Sequence, residues 1–249
     1  MIDVHTHILA GVDDGPTDIE ISCLMLRCLA EQNVGYVGLT PHYYHYEQPL
    51  EDFLSNRDAA IDLIRPFADE LGILLLPGSE TYLTDDILNE RDIKSLCIKG
   101  TRLLVTEMPF SCAFTKKDLF LLERFIGNYG IIPILAHIER YPPLMNSEKL
   151  VNSLMEMGCL TQINLSSLSD VKRSTQKKIM RFITKGYVHF IGTDCHHMDY
   201  RSPEYSKYIG LLEKKLGSGF VEQFQASMAR WLKINRFETL ASEGTRVFQ

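Results

Sequence analysis

The sequence contains no apolar run long enough to cross a membrane as a helix. Such a helix needs about 18–20 consecutive apolar residues, whereas the longest uncharged runs, such as residues 131–136, have the length of a strand. The amino terminus also lacks the basic segment and apolar core that are typical of a signal peptide. These absences predict a cytoplasmic protein that is not inserted in a membrane.

The chain also lacks an excess of positive charge and a cysteine framework. Its 26 Lys and Arg against 32 Asp and Glu give a formal net charge of −6, which argues against a protein that binds nucleic acid by neutralising phosphates. Six cysteines without framework spacing indicate reduced, mostly buried thiols. With 45% apolar residues among 249 and no low-complexity linker, residues 1–249 are expected to fold as one domain.

Seven short β-like runs alternate with helical patterns. The runs begin near Ile2, Tyr36, Ile73, Arg102, Ile132, Leu160 and Val188. Units of this kind predict a parallel, barrel-like α/β domain, although a doubly wound open sheet gives the same alternation. The apolar residues 73–76 and 131–136 lack alternation, which is typical of strands buried on both faces.

Three helices have recognisable limits in the sequence. A capping-box pattern predicts a helix that begins at Thr17. A second helix covers about residues 50–64 and is expected to stop or kink at Pro66, since proline lacks the N–H that continues a helix. A third covers residues 118–129 and ends at Gly130.

Every predicted strand is followed or ended by a residue that can bind a metal or a polar ligand. In α/β barrels these positions meet at one face. They are His5, His7, His42, Glu80, Glu107, His137, Asn164, Asp194 and His196. Imidazoles with carboxylates predict an open, multinuclear catalytic site, because closed structural zinc sites prefer thiolates.

Further polar residues lie close to these positions in the sequence. Either Asp13 or Asp14, in the turn after the first strand, is expected to be a ligand. Arg140 and Arg201 follow two of the ligand positions, where a guanidinium could bind phosphate through two hydrogen bonds. The remaining histidines, at positions 45, 189 and 197, fit no cluster and are expected to be structural or surface residues.

One pattern suggests a different chemistry. Cys195, Arg201 and Ser202 have the spacing of thiol-dependent tyrosine phosphatases. Those enzymes need small residues between the cysteine and the arginine, so that backbone N–H groups can surround the phosphate. Here the interval is His-His-Met-Asp-Tyr, which argues against thiol catalysis.

Six short segments together carry a family resemblance. They are Asp3-Val-His-Thr-His7, Val12-Asp-Asp-Gly-Pro16, Thr40-Pro-His42, Gly78-Ser-Glu80, Ala136-His-Ile-Glu-Arg-Tyr141 and Gly192-Thr-Asp-Cys-His196. This set resembles the polymerase-and-histidinol-phosphatase (PHP) superfamily, and within it the manganese-dependent protein tyrosine phosphatases of bacterial capsule and exopolysaccharide loci. The resemblance implies a distorted seven-stranded (β/α)7 TIM-like barrel with three divalent metal ions, manganese before iron or zinc.

Nine metal ligands follow from the resemblance. The first ion takes His5, His7, Glu80 and Asp194. The second shares Glu80 and takes Glu107 and His137. The third takes Asp14, His42 and His196. Arg140 and Arg201 match the positions that meet the phosphate in relatives, whereas Cys195 departs from them and residues 217–249 match no motif.

The expected reaction is hydrolysis of phosphotyrosine, in which a metal-bridging hydroxide attacks phosphorus in line. The substrate that the resemblance suggests is the tyrosine-rich tail of a capsule-assembly kinase; an oligomer is possible. Three alternatives stay open at this point. They are a small-metabolite phosphatase acting on a substrate such as histidinol phosphate, an amidohydrolase-type enzyme, and a non-catalytic module that binds a partner kinase.

Overall fold

In the computed structural model, which describes residues 1–234, nine strands pair with one another only in parallel. The strands are β1 Ile2–Thr6, β2 Tyr36–Leu39, β3 His42–Tyr43, β4 Leu74–Pro77, β5 Glu80–Tyr82, β6 Leu103–Glu107, β7 Ile132–Leu135, β8 Leu160–Asn164 and β9 Phe190–Gly192. All seven predicted strand regions contain a strand, so the parallel α/β class is confirmed.

Eight α-helices occur between or after the strands in this part of the chain. They are α1 Ile19–Glu31, α2 Leu50–Glu70, α3 Lys116–Tyr129, α4 Pro142–Asn146, α5 Glu148–Met157, α6 Arg173–Thr184, α7 Ser206–Leu216 and α8 Ser218–Trp231. Short 3-10 helices cover Asp85–Asn89, Ile93–Leu96, Ile138–Arg140 and Leu165–Leu168.

The strands form two sheets, so backbone pairing does not define the expected single seven-stranded barrel. One sheet has the order β1-β2-β4 and the other β3-β5-β6-β7-β8-β9. Two predicted strand regions are each split in two, at Thr40-Pro41 and at Gly78-Ser79. The split regions still contact each other, because Glu80 donates its backbone N–H to the carbonyl of Pro41 at 2.9 Å.

Backbone contacts also join β1 to the segment that follows β9. Asp194 donates its N–H to the carbonyl of His5 at 2.8 Å, and His7 donates to Cys195 at 2.9 Å. Gly192 permits this approach, since a Cβ at that position would lie only 2.6 Å from the Cβ of His5. The contacts bring residues 5–7 beside residues 194–196.

Burial follows the strand prediction in the large sheet but not in β4. Every residue of β6 and β8 is buried, as parallel strands covered on both faces should be. The apolar run 73–76 was expected to be buried on both faces, but Leu74 is 53% exposed. Its strand is the edge of the three-stranded sheet, where one side has no neighbouring strand.

Two of the three predicted helix limits need correction. The residue that caps α1 is Asp18, whose carboxylate accepts from the N–H of Ile21, and not Thr17. Helix α2 does not stop near Ile64 but continues through Pro66 to Glu70. Pro66 lies on the exposed face, where water can satisfy the carbonyl that the proline leaves without a partner. Helix α3 ends at Gly130 with a left-handed φ of 62°, as predicted.

The end of the described chain supports β1, although its sequence carries no motif. Gln225 of α8 accepts from the N–H of Ile2 at 2.8 Å and donates to the hydroxyl of Tyr205 at 2.9 Å. Tyr205 in turn donates to the carbonyl of Ile2. Of the segment 217–249, residues 235–249 lie outside the described residues. Within residues 1–234, no helix combines the length and the apolar character that a membrane-spanning segment requires.

Candidate metal centre

All nine predicted ligands come together in one cluster. Most lie near or after the carboxyl end of a strand, whereas His42 and Glu80 are the first residues of β3 and β5. Each has an imidazole nitrogen or a carboxylate oxygen within 3.4 Å of such an atom on another member of the set. Eight lie on or just after β1, β3, β5, β6, β7 and β9, and Asp14 lies in the turn after β1. Asp14 is also the most exposed, at 62% of its side chain.

Glu80 lies at the centre of the cluster. Its Oε2 is 3.1 Å from His5 Nε2, 3.2 Å from His7 Nε2 and 3.1 Å from His42 Nδ1. Its Oε1 is 2.9 Å from Nε2 of His137. A carboxylate with its two oxygens turned to different imidazoles has the arrangement that a ligand bridging two cations requires.

Two further groups extend from this centre. Nε2 of His137 is also 3.4 Å from Oε1 of Glu107, and Glu107 can share an ion with His42 and Glu80. On the other side, Oδ1 of Asp14 is 3.1 Å from Nε2 of His196. These last two residues group with His7 and His42.

Asp194 connects the cluster to the two predicted phosphate-binding arginines. Its Oδ1 lies 3.4 Å from Nε2 of His7 and accepts a short contact from Arg201. Its Oδ2 lies 3.0 Å from Arg140 and 2.5 Å from the amide of Asn164. Each guanidinium therefore contacts a different oxygen of one buried carboxylate.

Three buried groups of the centre have pKa shifts in the directions expected of a cation site. Burial alone would lower the pKa of His7, but the carboxylates of Asp13 and Glu80 outweigh it and raise the pKa to about 10. Burial likewise opposes protonation of His137, yet Glu107 and Glu80 raise its pKa to about 9. Burial raises the pKa of Asp194, but His5, His7 and Arg201 hold it below its ordinary value. The carboxylates thus favour positive charge, which a metal ion can supply in place of protons.

Buried polar atoms without hydrogen-bond partners are concentrated here among the described residues. They include Glu80 Oε2, His42 Nδ1 and His196 Nε2. Buried polar atoms are normally paired, because leaving one unpaired costs about 1–3 kcal/mol. Because nitrogen and oxygen donors are left to face one another, the residue set fits divalent metal ions.

Two residues outside the predicted ligand set position the histidine ligands through hydrogen bonds. Asp13 Oδ2 accepts from Nδ1 of His7 at 2.5 Å and from the N–H of His42 at 2.9 Å. Gln162 Oε1 accepts from the N–H of His137 at 2.6 Å and faces Nδ1 of His5 at 3.4 Å. Of the two adjacent acidic residues, Asp14 therefore faces His42 and His196, whereas Asp13 orients His7.

Four residues of the motif His137-Ile-Glu-Arg-Tyr141 make contacts in or beside the metal centre. His137 faces Glu80, and Arg140 contacts Asp194. Glu139 accepts from the N–H of Asn164 at 3.0 Å. The Tyr141 hydroxyl donates to the carbonyl of Met108 at 2.7 Å and accepts from its N–H at 3.0 Å, fixing the loop after β6.

Three predicted site residues have a left-handed backbone that non-glycine residues rarely adopt. The φ angles are 34° at His137, 54° at Asp194 and 51° at Arg201. Such conformations cost of order 1–3 kcal/mol and persist where surrounding contacts fix them, commonly at functional sites. No feature of the sequence predicts this strain, because none of the three positions is occupied by glycine.

Cys195 has the environment of a structural thiol. It is fully buried and burial raises the pKa of its thiol well above the ordinary value. A protonated, inaccessible thiol is a poor nucleophile, which supports the rejection of thiol catalysis. Among the histidines outside the cluster, Nδ1 of His189 accepts from the N–H of Thr161 at 3.2 Å, and His45 lies 3.8 Å from Asp86.

Sequence reasoning missed Gln162 and the positioning role of Asp13. Gln162 is the middle residue of β8, whose sequence is Leu-Thr-Gln-Ile-Asn and whose residues are all buried. A polar side chain in a fully buried strand must find partners, and this was the available signal. The positioning role of Asp13 can be recognised only from the structure, in which its carboxylate contacts Nδ1 of His7.

Comparison with known proteins identifies the family of the chain. Residues 1–232 match the family model "Capsular polysaccharide synthesis, CpsB/CapC". The tyrosine-protein phosphatase CpsB of Streptococcus pneumoniae is 32% identical over 227 residues, which cover 88% of this chain and 92% of that protein. The tyrosine-protein phosphatase YwqE of Bacillus subtilis is 28% identical over 223 residues, covering 88% of this chain and 86% of the relative.

A solved structure shares the fold. The structure is one of those of YwqE from Bacillus subtilis and CpsB from Streptococcus pneumoniae, which are named metal-dependent tyrosine phosphatases. It matches this chain with a TM-score of 0.79 at 24% identity, over 94% of each chain. The family match extends over nearly the whole described chain. The chain belongs to the CpsB/CapC family of capsular polysaccharide synthesis proteins.

Proposed function

We propose that the chain is a metal-dependent tyrosine-protein phosphatase that acts in capsular or exopolysaccharide synthesis. The observation that carries the proposal is the position of Glu80, whose two oxygens face four imidazoles beside a carboxylate held by two arginines. Family membership and the names of the relatives support the same activity.

The proposed centre holds three ions. One takes His5, His7, Glu80 and Asp194. A second takes Glu80, Glu107 and His137. A third takes Asp14, His42 and His196. Imidazole and carboxylate donors suit manganese, and also iron or zinc. The distances around Glu80 and the pairing of Asp14 with His196 support this assignment.

Arg140 and Arg201 are the proposed phosphate ligands. When bound, divalent ions lower the pKa of water and neutralise charge on phosphoryl oxygens. The two guanidinium groups lie at the edge of that centre, 38% and 25% exposed, where they can donate to the outer phosphate oxygens as charge develops there. Asp194 orients both groups, one on each of its oxygens.

The leaving group favours an aryl ester. A phenol has a pKa of about 10, so a departing phenolate needs less protonation than an alkoxide. A phosphotyrosine segment is therefore the proposed substrate. The resemblance to the phosphatases of capsule loci suggests the tyrosine-rich tail of a capsule-assembly kinase in the cytoplasm.

We further infer that residues 1–249 act as one domain in which the two sheets form a distorted barrel. The hydrogen bonds between β1 and residues 194–195 support this inference.

The test is a comparison of two substrates with one enzyme preparation. The purified chain is stripped with a chelator, reloaded with Mn²⁺ and assayed on a phosphotyrosine peptide and on histidinol phosphate. We expect activity to return with Mn²⁺ and kcat/KM to be higher for the peptide. A much higher kcat/KM for the metabolite, or activity that survives chelation, would contradict the proposal. Metal analysis of the protein as purified identifies the ion.

A further inference from the structure

Two aromatic groups border the metal centre and expose their rings to solvent. Phe110, on the loop after β6, is 55% exposed, and Tyr46, on the loop after β3, is 61% exposed. An exposed ring beside a polar site offers apolar contact area that the imidazoles and carboxylates do not provide. These rings are therefore placed to contact a ligand with an apolar part.

Phe110 contacts both parts of the proposed phosphate site. Its ring centroid is 5.7 Å from that of His137 and 6.0 Å from that of Tyr141. The guanidinium carbon of Arg140 lies 5.8 Å from the same ring. The exposed ring thus adjoins a proposed metal ligand and a proposed phosphate ligand.

The loop that carries Phe110 is fixed before any ligand arrives. Tyr141 makes two hydrogen bonds to the backbone of Met108, two residues before Phe110. Met108 itself is buried. Because the loop is already ordered, a ligand that contacts Phe110 would lose little binding energy to ordering it.

A tyrosine cluster forms the second aromatic group. Tyr44 stacks on His42 with 5.2 Å between centroids and 29° between planes. Its centroid is 5.7 Å from Tyr46 and 5.5 Å from Tyr82. The tyrosine cluster, Tyr44 with Tyr46 and Tyr82, therefore extends from a proposed metal ligand to the exposed rim.

The two groups contact imidazoles that face different oxygens of Glu80. Phe110 lies on His137, which contacts Oε1 of Glu80, and Tyr44 lies on His42, which contacts Oε2. In an aryl phosphate a single ester oxygen separates phosphorus from the ring. A phosphate held at this centre therefore places its ring at the rim where the aromatic side chains lie.

We propose that Phe110 and the tyrosine cluster form a subsite for the aromatic ring of the substrate, which selects aryl over alkyl phosphate monoesters. The inference rests on the proposed function and names its substrate class. Stacked and edge-on ring contacts supply the selectivity, because an alkyl group offers neither.

The test measures binding, so it does not depend on turnover. Calorimetric titration of the Mn²⁺-loaded protein compares phenylphosphonate with methylphosphonate, which share the phosphonate group and differ in the ring. For Phe110→Ala we expect Kd for phenylphosphonate to rise about tenfold, equivalent to about 1.4 kcal/mol, and Kd for methylphosphonate to stay within about twofold. Phe110→Tyr, which keeps the ring, should bind both as the unaltered chain does.

Phe120→Ala is the matched control, since Phe120 is 58% exposed on α3. It should change neither Kd. If Phe110→Ala weakened the binding of both phosphonates equally, or of neither, the proposed subsite would be wrong.

Failure of the proposed function gives a different result from failure of the subsite. A chain that binds phenylphosphonate through Phe110 but hydrolyses no phosphotyrosine peptide would refute the activity and retain the subsite.

Discussion

Nδ1 of His7 lies 2.5 Å from Oδ2 of Asp13, while Nε2 of the same ring lies 3.2 Å from Oε2 of Glu80. The carboxylate of Asp13 therefore fixes the tautomer and the direction of the imidazole, and turns Nε2 toward the centre. A carboxylate behind a histidine ligand also makes that ligand more basic. Asp13 acts through His7 and is a positioning residue.

Replacing this carboxylate is predicted to weaken metal binding without unfolding the protein. Asp13→Asn keeps the size of the side chain and an acceptor oxygen but removes the charge that supports His7. We expect Mn²⁺ affinity to fall about 10–100-fold, and activity to be recovered in part at higher Mn²⁺. Metal titration followed by assay measures both quantities.

Asp118→Asn is the control for that change, because it removes the same charge at another place. Asp118 forms the cap of α3 with Thr115. It should leave the Mn²⁺ affinity unaltered. If Asp13→Asn bound Mn²⁺ as tightly as the unaltered chain, the positioning role of Asp13 would be wrong.

The choice between metal and thiol chemistry gives a second prediction. Cys195→Ser should retain phosphatase activity within a few-fold, because burial keeps the Cys195 thiol protonated and away from substrate. His42→Ala should abolish activity, since His42 faces both Glu80 and Asp14. Activity on a phosphotyrosine peptide at saturating Mn²⁺ is the measurement. The reverse pattern, with loss only in Cys195→Ser, would restore the thiol mechanism.

The seven strand regions could be predicted from sequence because short runs rich in apolar residues alternate with helical patterns. Tyr36–Leu39 is an example in which every residue is buried. The division into two sheets could not be predicted in the same way. It depends on which carbonyl each backbone N–H meets, as in the bond from Glu80 to Pro41, and sequence patterns do not record such tertiary contacts.

The positions of the ligand set could be predicted from the topology of parallel strands, but the supporting contacts could not. Carboxyl ends of neighbouring strands meet at one edge, so His42 and Glu80 were expected to lie together, as they do. Whether Asp13 or Asp14 faced the centre depended on the conformation of one turn. The left-handed backbone of Asp194 likewise results from the surrounding packing, which no local pattern encodes.

The close approach of β9 to β1 gives a third prediction, on stability. Gly192→Ala would place a Cβ 2.6 Å from the Cβ of His5 and 3.1 Å from its nitrogen, so β9 must move away. We expect the free energy of unfolding in urea to fall by about 1–3 kcal/mol, together with weaker Mn²⁺ binding because His5 is displaced.

Gly210→Ala provides the comparison, since Gly210 lies within α7 and an added Cβ would meet no atom within 4 Å. Alanine is the better helix former there, by roughly 0.5–1 kcal/mol, so this variant should be at least as stable as the unaltered chain. Equal stability of the two alanine variants would show that Gly192 is not required for the contact between β9 and β1.

His189 gives a prediction about acid stability that is separate from the metal centre. Its Nδ1 accepts from the N–H of Thr161 at 3.2 Å, and burial lowers its pKa to about 4, against about 6.5 in an unfolded chain. Between these values the unfolded chain binds more protons than the folded chain, so the free energy of unfolding should fall as the pH decreases from about 6.5 toward 4.

His189→Gln retains an acceptor and cannot be protonated. Thermal unfolding at pH 7 and pH 5 should therefore show a smaller loss of Tm in the variant than in the unaltered chain. An equal loss in both proteins would mean that His189 does not contribute to acid sensitivity.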